Sequence, residues 1–259
     1  MTATTGTTVR YTREGGIGRL VLDRPPVNVL NLGTMEALQS ALVEAAADPG
    51  LKVLSVSGAG RAFSAGVDIA DHTADRVGRM LELFHGAVRQ LMAIEAPVVA
   101  VVHGAALGGG CELALACDMI LARDDLKLGQ PEIQLAVFPP AAAALLPRLI
   151  GRQRALDLIL TGRTIGAAEA LRMGLVSRVF GSAEFETATE SALAELASRS
   201  GPALRLAKRA VTAGADLAFG PALELAEDLY LTDLMQLADA HEGIAAFMEK
   251  RPPVWKEQG

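Results

Sequence analysis

His103-Gly104-Ala105-Ala106-Leu107-Gly108-Gly109-Gly110-Cys111-Glu112-Leu113-Ala114-Leu115-Ala116-Cys117-Asp118 decides how the chain reads. Ahead of it, Val98 to Val102 is an aliphatic run of strand length, and behind it Asp118 to Ala122 is another. Gly104 to Gly110 then reads as the turn from a strand into a helix. By hydropathy alone, Val98 to Ala122 would pass for a membrane span. His103, Glu112, Asp118 and four glycines interrupt it, so strand, helix, strand accounts for it better. One feature is costly. Glu112 sits on an otherwise apolar helix, and a buried carboxylate needs a partner or a purpose.

Glycines let backbone approach a ligand closely with amide hydrogens pointing outward. A helix N-terminus adds partial positive charge. Such a place suits a phosphate or a developing oxyanion. The spacing Gly104-x-x-x-Gly108-Gly109-Gly110 matches neither G-x-G-x-x-G nor G-x-x-x-x-G-K-[ST]. Glu112 in the first turn would also repel a phosphate. An oxyanion hole beside an acid–base group fits better. The competing reading is close packing of strand on helix, with Glu112 an ordinary first-turn acid.

Two flanking stretches matter. Gly58 to Ile69 follows a short strand, Val53 to Ser57, and offers small residues at Ser64, Ala65 and Gly66 that suit a presented backbone amide. Asp68 there reads as a cap, as does Asp118. Ser64 is not in G-x-S-x-G, and no histidine stands at an informative spacing. In Gly129-Gln130-Pro131-Glu132, proline opens a short helix and Glu132 falls in its first turn. Roughly ten helical residues cover ~15 Å outward, and five or six strand residues return ~17–20 Å. Glu112 and Glu132 therefore have the reach to share a pocket.

Farther out, Ile17–Asp23 and Val176–Phe180 read as strands, and 34–47, 75–95, 152–160 and 166–173 as helices. Met1 to Gly16 reads as a short frayed tail without a secretory core. Past Ser182 the pattern is helical: 183–199, 202–213, 221–238 and 240–249. Alternating strands and helices followed by a helical tail give an α/β core plus a C-terminal helical module, with the shift near Ser200-Gly201-Pro202. The net charge of -6 and the lack of a dense basic patch argue against nucleic acid as a partner. Arg205, Lys208 and Arg209 read as a solvated helix face. Cys111 and Cys117, six apart, fit reduced thiols in a cytoplasm and neither a C-x-x-C pair nor a disulfide scaffold.

The stretches AFSAGVDI, HGAALGGGCELALACD, LGQPEI, LTGRTIGAAEALRMGLVSRVF and FMEKRPPVWK occur in this order across nearly the whole chain. Together they resemble the crotonase family of enoyl-CoA hydratases and isomerases. The resemblance implies a spiral of ββα repeats over residues 1–200, which holds the active site. It implies a helical oligomerisation module over 201–259 that packs in a trimer, two trimers often forming a hexamer. It implies catalytic carboxylates at Glu112 and Glu132 and an oxyanion hole from the amides of Ala65 and Gly109. Coenzyme A contacts are implied at Ser64, Ala65, Asp68, Ile69, Phe247 and Lys250, the last two across a subunit contact. An acyl-CoA thioester is the implied substrate, with no metal, no separate cofactor and no membrane. Two departures stand out. Val137-Phe138-Pro139-Pro140 and the alanines after it replace the family's glycine-rich text, so Phe138, Pro139 and Pro140 reshape a wall of the acyl pocket. DRPPVNVL is shorter than the usual stretch and lacks its frequent lysine. Both resemble the cyclohexa-1,5-diene-1-carbonyl-CoA hydratase branch. Isomerase, thioester hydrolase and non-catalytic CoA- or RNA-binding scaffold stand as alternatives. A metal site of Glu112, Glu132 and His103 is disfavoured because no i, i+4 histidine pair exists.

Overall fold

The computed structural model describes residues 8–256. β1 (Val9–Glu14) and β2 (Ile17–Leu22) form a hairpin that turns at Gly15, where φ is +56°. There follow α1 (Leu32–Ala46), β3 (Val53–Gly58), α2 (Val77–Ala93), β4 (Val98–Val102), β5 (Ala105–Leu107), α3 (Gly109–Leu115), β6 (Met119–Arg123) and β7 (Lys127–Gly129). Next come α4 (Pro140–Ile150), α5 (Arg152–Thr161), β8 (Thr164–Gly166), α6 (Ala167–Met173) and β9 (Arg178–Phe180). The helices α7 (Phe185–Ala197), α8 (Gly201–Gly214), α9 (Phe219–Asp228) and α10 (Ala238–Glu249) complete the chain. Two 3₁₀ turns, Ile69–His72 and Pro131–Leu135, face the site described below.

A large sheet runs in the order β1-β2-β3-β4-β6-β9, and a small one in the order β5-β7-β8. The large sheet is parallel from β2 onward; in the small sheet β7 runs parallel to β5 and antiparallel to β8. Successive strands are dealt to the two sheets in turn. β4 joins the large sheet and β5 the small one before α3; β6 and β7 repeat this before the Pro131 turn and α4. That is the ββα spiral that the family resemblance implies.

Strands buried on both faces read as unbroken aliphatic runs, and here each face has its own cover. Leu54, Val56, Val98, Ala100, Val102, Ile120 and Ala122 point into the main core with α1 and α2. Val53, Val99 and Leu121 point the other way, against Leu193 of α7. Asn31 caps α1 by accepting from the Thr34 amide at 3.0 Å, and Ser200 caps α8.

Several expectations are corrected. β1 lies inside the stretch that reads as a tail, because only Val9 is buried and the strand is secured by pairing with β2. β5 sits within the glycine turn, held by pairing with β7. α4 covers the proline–alanine stretch, with Pro140 at its start. Residues 221–238 are not one helix. α9 ends at Asp228, and a π turn (Leu229–Asp233) and a 3₁₀ turn (Leu234–Gln236) precede α10. Lys208 is not on a solvated face: its Nζ bonds Asp118 Oδ2 at 2.6 Å, Ile94 O at 2.8 Å and Ala96 O at 3.2 Å, fastening α8 to the core. Among the described residues no helix is long and apolar enough to cross a membrane.

Candidate active site

A cleft of about 550 Å³ opens between α2, residues 65–72, the start of α3 and the segment from Pro131 to Pro140. Its shape begins at Asn28, which is buried with φ +54°. The Asn28 Nδ2 donates to the carbonyls of Ala59 (2.9 Å), Ala62 (2.8 Å) and Phe63 (3.1 Å) and so fixes the loop after β3. Ser64 is fully buried; its Oγ donates to Asn28 O at 2.7 Å and accepts from the Gly66 amide at 3.2 Å. Its backbone pairs with β5 through Ala105 and Leu107. The hydroxyl is thus used up in building the loop, and Ser64 does not line the cleft where the sequence implies a coenzyme A contact.

Ala65 also corrects an expectation. Its amide donates to Val27 O at 2.8 Å and cannot serve an oxyanion. The free amide is two residues on. The Leu30 amide donates to Gly66 O at 2.8 Å and the Asp68 amide to Leu30 O at 2.9 Å. In such a parallel bridge the residue between, Val67, turns its own N–H away from Leu30. Val67 lines the cleft, and its amide has no acceptor among the described residues. Gly109 is the first residue of α3, so its N–H has no partner within the helix. A Cβ on Gly66, where φ is +102°, would lie 2.7 Å from Leu107 O and 3.4 Å from Gly109 N. Glycine at 66 therefore lets the two segments come together, and the cleft holds two free donors, the amides of Val67 and Gly109.

Glu112 is 3 % exposed. Its Oε1 accepts from the Ala142 amide at 2.8 Å, in the first turn of α4. The carboxylate does the work of a cap for a helix whose own N-cap, Pro139, offers no side-chain acceptor. Burial pushes the Glu112 carboxyl up to about 7; the Ala142 amide opposes this and the charge of Glu132 adds to it. Glu132, on the Pro131–Leu135 turn, is half-buried and also lines the cleft. Burial raises its carboxyl too, against its own backbone amide and the nearby His72. With its amide nitrogen turned to Glu132, buried Gln130 donates to both carboxylate oxygens at 3.2–3.3 Å. The Glu132 carboxylate lies over Gly108: a Cβ there would meet Oε1 at 2.5 Å, and φ is +51°.

The two glutamates, Gly109, Ile69, Phe138, Pro139 and Pro140 are thus brought to one cleft. Ile69 is 65 % exposed at its mouth. Asp68 caps the 3₁₀ turn by accepting from the Ala70 amide at 3.1 Å and does not line the cleft. Asp118 is structural, accepting from the Val98 amide at 2.7 Å and from Lys208. Phe247 and Lys250 stand at the end of α10, Phe247 86 % exposed, and neither lines the cleft within one chain. His103 Nε2 is bonded to Gly60 O at 2.9 Å, away from the carboxylates. Among the described residues no three metal-ligating side chains group together. His72 and His85, which do line the cleft, carry no spacing that marks them in the sequence.

A family model described as Enoyl-CoA hydratase/isomerase matches residues 12–258. The cyclohexa-1,5-dienecarbonyl-CoA hydratase of Thauera aromatica is 36% identical over 246 residues, 95% of each chain. Among solved structures, an enoyl-CoA hydratase from Bacillus anthracis superposes with a TM-score of 0.92 at 33% identity, covering 97% of this chain and 100% of that one. An enoyl-CoA hydratase from Geobacillus kaustophilus gives 0.92 at 32% identity, covering 98% of both.

Proposed function

The chain belongs to the enoyl-CoA hydratase/isomerase family, and from that premise we propose that it adds water across the α,β double bond of an acyl-CoA thioester. The observation that carries this is the meeting of two carboxyls and two unpaired amides in one largely apolar cleft. The amides of Val67 and Gly109 hold the thioester oxygen as it gains charge; losing one such donor costs about 3–4 kcal/mol. Glu112 and Glu132 hold a water between them. One takes its proton as the oxygen bonds to Cβ, and a proton is delivered to Cα. The two carboxyls titrate as a pair. No metal or redox group enters, and coenzyme A arrives as part of the substrate.

A ring-shaped acyl group is the second reading. It is supported by the Thauera relative and by the Phe138-Pro139-Pro140 wall of the cleft. We further read the chain as a homotrimer or hexamer in the cytoplasm. The exposed Phe219, Leu231, Phe247 and Met248 of the C-terminal helices support assembly, and the two free cysteines suit a reducing compartment. The test is substitution: Glu112→Gln and Glu132→Gln should each fold and each lose hydration by at least ~100-fold. Unchanged turnover in either overturns the two-carboxylate mechanism.

A further inference from the structure

We infer that His85 is a specificity-determining residue: its imidazole receives an uncharged oxygen, an oxo or hydroxyl group, carried on the acyl part of the substrate. The inference rests on the acyl-CoA reading and adds the acyl class to it.

The polar side chains that line the cleft are His72, His85, Glu112, Glu132 and Gln134. Glu112 is bonded to the Ala142 amide, Glu132 to Gln130, and His72 through Nδ1 to Asp68 O. Gln134 is exposed to water. His85 differs from all of these. Its Nε2 is buried with no partner among the described residues. His72, His103 and His241 each bond a backbone carbonyl, and His85 bonds none. A buried polar atom left unpaired is destabilising and calls for an explanation. An imidazole turns readily about its Cβ–Cγ bond, so a nitrogen now sealed from water can swing to face a bound group.

His85 stands on an apolar wall of α2, with Val77, Met80, Leu81 and Phe84 lining the same cleft. Phe84 ties it to the reaction centre. A Cβ on Gly109 would lie 3.2 Å from Phe84 Cζ, and the Phe84 and His85 rings are 5.9 Å apart at their centroids. One side chain therefore separates His85 from the amide that holds the thioester oxygen, which puts the imidazole within reach of the acyl group.

Charge decides which oxygen it takes. Glu112 and Glu132 repel a further carboxylate in the cleft. Burial, and then Arg89, push His85 down towards its neutral form, so it brings no charge to offset that repulsion. Arg89 itself is exposed and does not line the cleft. A neutral imidazole has one N–H and one acceptor nitrogen, which serve an oxo or a hydroxyl group. A purely hydrocarbon acyl group leaves the ring unmet.

The test is calorimetric binding of saturated thioesters, which cannot be hydrated: hexanoyl-CoA, its 4-oxo, 5-oxo and 6-hydroxy derivatives, and adipoyl-CoA, which ends in a carboxylate. Wild type should bind at least one oxygenated derivative about fivefold to tenfold more tightly than hexanoyl-CoA, as one buried hydrogen bond supplies. Adipoyl-CoA should gain nothing. His85→Leu should lose the preference and bind hexanoyl-CoA as tightly as wild type or more so, the reverse of a merely structural loss. His85→Gln, which keeps a polar tip, should retain part of the preference. Equal wild-type binding of hexanoyl-CoA and all its oxygenated derivatives, tightest binding of adipoyl-CoA, or an undiminished preference in His85→Leu would overturn the inference. Binding of no thioester at all would overturn the acyl-CoA reading with it. A His85-dependent preference without hydration of crotonyl-CoA would overturn the reaction and uphold the recognition.

Discussion

Replacing Gly108 with alanine tests how the site is assembled. The new Cβ would lie 2.5 Å from Glu132 Oε1, some 0.9 Å inside the 3.4 Å at which ordinary contact begins. The carboxylate ends a flexible side chain, so it moves aside rather than breaking the fold. A displacement of about 1 Å at a reacting group costs roughly 100-fold in rate. The backbone adds its own term. Gly108 has φ +51° and ψ −125°, and forcing a side chain into such a conformation costs roughly 1–3 kcal/mol. At roughly 2–4 °C per kcal/mol for a chain of this size, the melting temperature falls by about 2–12 °C. Turnover of crotonyl-CoA and thermal unfolding, measured on the same preparation, read the two terms separately. Wild-type turnover with an unchanged melting temperature would refute the placement of Glu132 over this glycine.

Three further outcomes follow from the same geometry. Glu112 has a folded-state carboxyl raised from 4.5 to about 7, so its stabilising share is present below pH 4.5 and lost as pH rises through 7. The loss amounts to about 3 kcal/mol. Glu112→Gln, which can still accept from Ala142, should be the more stable protein at pH 8 by denaturant unfolding, with the advantage gone at pH 4.5. Asn28→Ala should destabilise by about 3–4 kcal/mol, because three backbone carbonyls lose their donor at a buried position. Light scattering should find a trimer or hexamer, and Phe247→Asp should weaken it; a wild-type monomer would remove the role given to α10.

The parts of the fold legible in the sequence are those with many residues voting together. β4 and β6 announce themselves as aliphatic runs, and α2 through its apolar stripe at Met80, Phe84, Val88 and Leu91. Three-residue strands such as β5, β7 and β8 are below the length at which a pattern can form; pairing across the small sheet makes them. The bend between α9 and α10 has no glycine or proline between Ala222 and Ala238 to mark it. In the site, residue type singles out the carboxylates: Glu112 is conspicuous as the one acid of an apolar helix. A backbone amide has no such mark. Ala65 and Val67 both carry one, and the difference lies in Val27 O, which occupies the first and leaves the second free. His72 is hidden for a similar reason, since only the folded chain brings it to the cleft that Glu132 lines.

The most direct test of the central claim is the mass of the product. The protein is incubated in ¹⁸O-water with crotonyl-CoA and, separately, with cyclohexa-1,5-diene-1-carbonyl-CoA, and the thioesters are followed by LC–MS. The account predicts that at least one thioester gains a single labelled water and keeps its coenzyme A. No water gained on either, or release of free coenzyme A alone, would contradict it.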